Sequence, residues 1–441
     1  MSRKDNRSEE KVMVNEKLYI NLHDDYLDLL QHFSEKFPIV EDAKFGELVN
    51  FKNNMNLSKH NWFEYKQGYA GELVRELIDS NKLEIDSYVL DPFCGVGTTN
   101  LVAQSLGFDS FGFDVLPVAI LAASVKTQYY SSSDQHLLGE LIKGIQVEGN
   151  SEPPALNIIR KAFSSETIQT LMGIKEYYKS LSSKKYQDFF KLAYLSIIEE
   201  CSNRVKDGNG LKISRNKSVV TDVLHTYREK VVQMHKDIQG ENFSAKVNLI
   251  QGSFLELNDQ IADGSVGLTI TSPPYANCFD YCELYKFELW MGEYVCSYSD
   301  FSKYRSGAIR SHVNSSFNHD IEFSNSSVDL IAELISCFNI WNKNIPDMLR
   351  GYFDDMRKIL TAIYRVTKSG GKTYIIVGNS SYKGIIVPTD LLLSEIAEKI
   401  GFEVKPLIFA RNLRRSSQQI NEIAKTNQNL ARETILVFQK L

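Results

Sequence analysis

Hydrophobic residues recur at helical spacing over 24–37 and again over 70–81, where Leu73, Val74, Leu77 and Ile78 share one stripe. From residue 87 the period shortens. Compact apolar runs at 87–90 and 110–113, the second ending at Asp114, are followed by helical patterns over 98–106 and from Leu116 onward. After a long interval the runs resume at 247–250 and 266–271. A helix over 356–366 stops at Ser369-Gly-Gly371, a strand follows at 373–377, and a helix over 389–400 is closed by Gly401. Strands at 402–409 and 433–439 complete the series. Strands alternating with helices predict a mostly parallel sheet covered on both faces. No helical pattern separates the last two strands, so they are expected to pair antiparallel at an edge.

Two stretches break this rhythm: 128–240 reads as largely helical, and 292–350 as mixed and polar. Neither has the Pro- and Gly-rich composition of a flexible linker. Inserts after sheet strands sit where doubly wound folds place their ligand-handling loops. With 441 residues, 43% hydrophobic and 24% charged, the chain can bury a large core with an elaboration. A net charge of −5 excludes a uniformly basic coat but leaves room for a local basic cleft. Six cysteines in so long a chain make no disulfide framework and indicate a reducing, cytoplasmic compartment. Residues 1–15 are charged and expected to fray. There is no apolar leader, and no run approaches the roughly 20 apolar residues of a membrane span, so a soluble protein is expected.

Two short segments carry most of the chemistry. Asp91-Pro-Phe-Cys-Gly-Val-Gly-Thr-Thr99 runs from the end of a strand into a glycine-rich turn. Gly95 and Gly97 permit positive φ and close backbone approach, and the following helix offers free N–H groups. Asp114 ends the next strand, where an acid can accept both hydroxyls of an adenosine ribose. The glycine turn alone fits an ordinary strand-to-helix turn; Asp114 strengthens the nucleotide reading but serves nicotinamide cofactors as well. The second segment, Thr271-Ser-Pro-Pro-Tyr275, presents a hydroxyl, two prolines and an aromatic ring directly after a strand. Prolines fix φ and donate no N–H, so neighbouring carbonyls are left as outward acceptors.

Together the two segments resemble the S-adenosylmethionine loop and the catalytic loop of the DNA amino-methyltransferases. The likeness extends through Gly112-Phe-Asp-Val-Leu-Pro-Val-Ala119, Ala276-Asn-Cys-Phe-Asp-Tyr281 and Leu284-Tyr-Lys-Phe-Glu-Leu-Trp290, and spans 60–127 and 247–441. It implies an α/β, Rossmann-like S-adenosylmethionine-dependent methyltransferase sheet, mostly parallel with an antiparallel C-terminal strand, plus a largely helical insert. It also implies a division into an N-terminal extension (1–59), a cofactor-binding half (60–127), a helical insert for target recognition (128–240), a catalytic-loop part (241–291), a second insert (292–350) and a C-terminal part of the core (351–441). Residues 295–350 compete with the helical insert for target recognition.

By the same resemblance Asp91, Phe93 and the backbone of Cys94, Gly95, Gly97 and Thr98 would hold the methionine part of the donor, and Asp114 its ribose. Trp62-Phe-Glu-Tyr-Lys-Gln-Gly-Tyr69 resembles the segment beside the donor carboxylate, with Lys66 as its anion partner, although an aromatic staple fits equally. At the exit of the third strand, Ser253 stands where an acid is expected to meet adenine. In the catalytic loop, Ser272 Oγ and the Pro273 carbonyl would accept hydrogens of an exocyclic amine, Pro274 would stiffen the loop, and Tyr275 would stack on an extruded base. Serine at the first loop position favours cytosine N4, with adenine N6 as the alternative and an RNA amine as a further one. Carbon-5 methylation is excluded because no Pro-Cys dipeptide occurs.

Basic residues cluster three times: Lys212, Arg215 and Lys217; Lys303, Arg305 and Arg310 with His312; and Arg411, Arg414 and Arg415. Such clusters suit phosphate contact with double-stranded DNA. Cys278 and Cys282 stand one helical turn apart with no further ligand nearby, so no metal is expected. A cognate endonuclease is the implied partner, while a binding-only subunit and a small-molecule methyltransferase are the weaker readings.

Overall fold

A computed structural model describes residues 16–441 apart from 43, 67, 85, 148–150, 209, 241–244, 316–320, 323 and 414–428. Residues 1–15, expected to fray, lie outside the described residues, as do Arg414 and Arg415. The strands are β1 (Ile39–Glu41), β2 (Tyr88–Asp91), β3 (Ser110–Asp114), β4 (Arg204–Asp207), β5 (Gly210–Ile213), β6 (Val247–Gln251) and β7 (Val266–Thr271). They continue with β8 (Thr367–Gly378), β9 (Ser380–Tyr382), β10 (Ile385–Val387), β11 (Glu403–Val404), β12 (Leu407–Asn412) and β13 (Arg432–Gln439).

One sheet dominates, in the order β1-β12-β13-β8-β7-β2-β3-β6, with β11 also against β13. Pairing is parallel from β8 through β6 and between β1 and β12, whereas β13 runs antiparallel to β8, β11 and β12. This is the Rossmann-like sheet with an antiparallel C-terminal strand. All six residues of β7 are buried, as a strand covered on both faces requires. Side chains alternate between two cores: Leu268, Ile270, Ile376 and Ile435 pack with helix Gly71–Asn81, while Leu90, Ile375, Val377 and Leu436 pack with helices Ser326–Ser336, Ile345–Val366 and Thr389–Ile400.

Three elements depart from expectation. Helix Ile345–Val366 begins eleven residues before the predicted 356, with Pro346 in its first turn, where a missing N–H costs nothing. The strand predicted at 402–409 divides into β11 and β12 around Pro406, which cannot donate to a ladder. The edge strand β1 has no counterpart in the sequence pattern: it has three residues, none fully buried.

A third core gathers the helices of 128–240 with the segment after the catalytic loop, including Tyr285, Phe287, Leu289 and Trp290, and with Trp62, Phe63 and Tyr65. The two-stranded hairpin β4–β5 interrupts those helices. Among the described residues no helix is long and apolar enough to cross a membrane.

Candidate functional site

The order of strands along the chain reverses between β2 and β7, the position where open α/β sheets bind ligands at their carboxyl ends. Asp91 ends β2 and Thr271 ends β7, and the Thr271 hydroxyl donates to the Asp91 carboxylate at 2.6 Å. Asp91 also accepts from Tyr69 Oη at 2.7 Å and from the Phe93 N–H at 3.1 Å. Burial pushes its carboxyl up, against the pull of these donors. The two loops that the sequence singled out thus leave the sheet side by side, tied through one carboxylate.

On the β2 side, Gly95 and Gly97 have φ of +50° and +77°. A Cβ at Gly95 would lie 2.9 Å from the Tyr65 ring, and one at Gly97 2.8 Å from Ala123, so neither position admits a side chain. Asp114 accepts the N–H of Gly95 at 3.1 Å and of Leu116 at 2.8 Å, and burial pushes its carboxyl up to about 7. Cys94 is buried, and the same burial pushes its thiol well up, which suits a packing role. Phe93, Thr98 and Ser253 border the same space. Lys66 does not: its ammonium pairs with Glu64 at 3.1 Å on the surface, and only its backbone N–H turns inward, to Tyr285 Oη at 2.8 Å.

On the β7 side, Ser272 Oγ donates to the Ile376 carbonyl at 3.0 Å, which leaves its lone pairs available as acceptors. Pro274 faces the cleft with Ser272. Tyr275 departs from the stacking expectation. Its side chain is buried at 9% exposure against Gly378, its hydroxyl donates to Glu433 at 2.6 Å, and it does not line the cleft. Rings that do line it include Phe93, Phe279 and Tyr281 from the two loops and Tyr65 from the upstream segment. Tyr65 stacks on Tyr285, with centroids 4.9 Å apart. Phe279, Tyr281 and Tyr65 lie within the segments that carry the resemblance, but nothing in the sequence marks them as cleft residues.

Both loops open onto one cleft, which Asp280, Arg305, Ser311 and His312 also line. The turn that would clash with any Cβ, the acid at the end of β3 and the aromatic walls fit an adenosine-bearing donor. Among the described residues no group of three or more His, Cys, Asp or Glu is placed to hold a metal.

The basic clusters divide. Lys212 is exposed and pairs with Asp207 at 2.8 Å, and Arg215 is exposed beyond the β4–β5 hairpin. Lys217 is tied to the carbonyls of Glu199 and Arg204. Arg411 bonds Glu433 at 2.5 Å and stays partly exposed. Arg305 is not a phosphate-facing surface residue but part of the cleft wall, bonded to Asp280 and Glu283. Arg310 is also corrected: it is 5% exposed, with its guanidinium on Asp354 and Asp355 at 2.9 and 2.6 Å, so it is spent on an internal ion pair. His312 likewise belongs to the cleft and not to a surface patch.

The model of a family described as DNA methylase, covering N6 and N4 enzymes, matches residues 2–124 and 266–441. The chain is 28% identical over 462 residues to the type II methyltransferase M.BsoBI of Geobacillus stearothermophilus, covering 91% of this chain and 90% of that one. It is 26% identical to the type II methyltransferase M.AvaI of Nostoc sp., covering 89% of each. A TehB-like SAM-dependent methyltransferase from Corynebacterium glutamicum aligns over 83% of this chain and 87% of its own, at 11% identity and a TM-score of 0.27, too remote to bear on the site.

Proposed function

The chain belongs to the N6/N4 DNA methylase family, and on that premise we propose that it methylates the exocyclic N4 of cytosine within a specific duplex sequence, in a restriction–modification system. Its cofactor is S-adenosylmethionine, which when bound supplies an activated methyl group on a sulfonium. The observation that carries the reading is the single cleft onto which both loops open, joined by the Thr271–Asp91 hydrogen bond. In this reading Asp114 receives the ribose hydroxyls, and the Gly95–Gly97 turn with Asp91 frames the methionine end.

Ser272 Oγ and the Pro273 carbonyl accept the two hydrogens of the target amine and turn its lone pair out of the ring. No covalent nucleophile is needed, because alignment supplies much of the rate. The target base must leave the helix to reach a cleft of this kind. Phe279 and Tyr281, which line the cleft, replace Tyr275 as the surfaces on which an extruded base rests. The exposed Lys212 and Arg215 on the helical insert, with Arg411, contribute phosphate contacts. Serine at position 272 favours cytosine over adenine. The type II names of the relatives support a cognate endonuclease acting on the same site, and a cytoplasmic location follows from that partnership.

Single-molecule sequencing of genomic DNA from a methylation-free host expressing the chain tests this. Modified cytosines at one short motif, absent with Ser272→Ala, are the expected result. Modified adenines would overturn the base assignment. Unmodified DNA from cells holding folded, donor-binding protein would redirect the search to RNA.

A further inference from the structure

The cleft lining holds a donor that the reaction as proposed does not use. His312 is 4% exposed and lines the cleft that Ser272 and Pro274 also line. Its segment is sewn to the catalytic loop, because the Cys278 N–H donates to the Ser311 carbonyl at 3.1 Å. The ring's Nδ1 accepts the backbone N–H of Asn314 at 3.1 Å. In a neutral imidazole that contact places the proton on Nε2. Burial pushes the ring's pKa down, so the neutral form holds. No described residue accepts from Nε2. An N–H that the protein leaves unpaired on a cleft lining is open to an acceptor on a ligand.

The chemistry of the target supplies that acceptor. In cytosine and in adenine the carbon bearing the exocyclic amine also bears an unprotonated ring nitrogen, N3 or N1. The edge therefore reads as one amine donor beside one acceptor. Thymine and guanine carry N–H at the corresponding ring position. A cleft lined by an acceptor at Ser272 and a donor at His312 complements the first pair and opposes the second.

We infer that His312 reads the ring nitrogen adjacent to the reactive amine, making it a specificity-determining contact to the extruded base. This rests on the methyltransferase reading above. It explains how one cleft can tell cytosine or adenine from thymine and guanine at this edge, since a site built around a hydrogen bond penalises partners that leave it unmade.

The test uses the full chain, S-adenosylmethionine and duplexes carrying the motif found by genomic sequencing, with either the natural target base or its deaza analogue, in which that ring nitrogen is C–H. Wild type should lose at least about tenfold in kcat/KM on the deaza duplex. His312→Leu should lose a similar factor on the natural duplex and little more on the deaza duplex, while His312→Gln, which keeps a donor, should recover most of the natural rate. Calorimetric affinity for the methyl donor should be unchanged in both variants. Equal wild-type rates on the two duplexes would overturn the inference whatever the variants do. Independent, multiplying losses from the variant and the analogue would overturn it as well. Absence of methylation on the natural duplex by wild type would instead remove the underlying reading.

Discussion

Burial pushes the Asp114 carboxyl up to about 7, so the residue proposed to receive the ribose titrates inside the working range of an enzyme. As pH falls through 7 the empty protein protonates there, and a protonated acid is the poorer acceptor for two hydroxyls. Donor affinity should therefore be lower at pH 6 than at pH 8, and Asp114→Asn should weaken binding and flatten the profile, both read by calorimetry. Ser272→Ala should reduce kcat by at least about tenfold with donor affinity preserved, since one acceptor of the target amine is lost; unchanged single-turnover rates would remove Ser272 from the mechanism. Residues of this kind were legible because short motifs announce them. Arg310 and His312 were not, because their burial comes from partners or walls distant in sequence: Arg310 meets Asp354 and Asp355 some forty residues on. Charge in a string gives no sign of which cations are already matched.

Among the elements, helix Pro117–Thr127 ends on a cost. The Lys126 ammonium is 1% exposed and meets the His60 carbonyl at 3.3 Å, with its pKa pulled down to about 7 by burial and by Lys230. Because the folded value lies below the unfolded value of 10.5, the unfolded chain holds more protons between them, and stability contributed by this group rises with pH from about 7 to 10.5. Lys126→Met should raise the melting temperature near neutral pH and remove that slope, measured by calorimetric scans at pH 7 and 9.5. The β4–β5 hairpin presents the opposite case. Lys206 bonds Glu288 at 2.5 Å and Glu199 at 3.0 Å, a charge triad all but sealed against Tyr285. Lys206→Met should cost about 3–5 kcal/mol by denaturant titration, and adding Glu288→Leu should recover much of it. Strands covered on both faces were readable as uniform apolar runs. The first half of Ile345–Val366 was not, because Asp347, Arg350, Asp354 and Asp355 break the apolar pattern.

At the scale of the molecule, the helical stretch 128–240 closes its core with residues from elsewhere. Phe189 packs edge-on against Trp62 at 5.8 Å, and Phe163 meets Phe287 at 5.2 Å. Excised alone, this stretch should show no cooperative thermal transition by circular dichroism; a sharp one would make it an independent unit. The alternation of strands and helices carried the sheet and its antiparallel end, whereas the packing of the insert against the catalytic segment is a relation among distant faces that no local pattern records. The Thr271–Asp91 bond has a consequence for how such proteins can be assembled. It joins the loops that follow β2 and β7 sideways, between neighbouring strands, and owes nothing to which of them the ribosome makes first. A chain that ran through the two halves in reverse would still set these two strands side by side, so the meeting of the loops does not depend on their order.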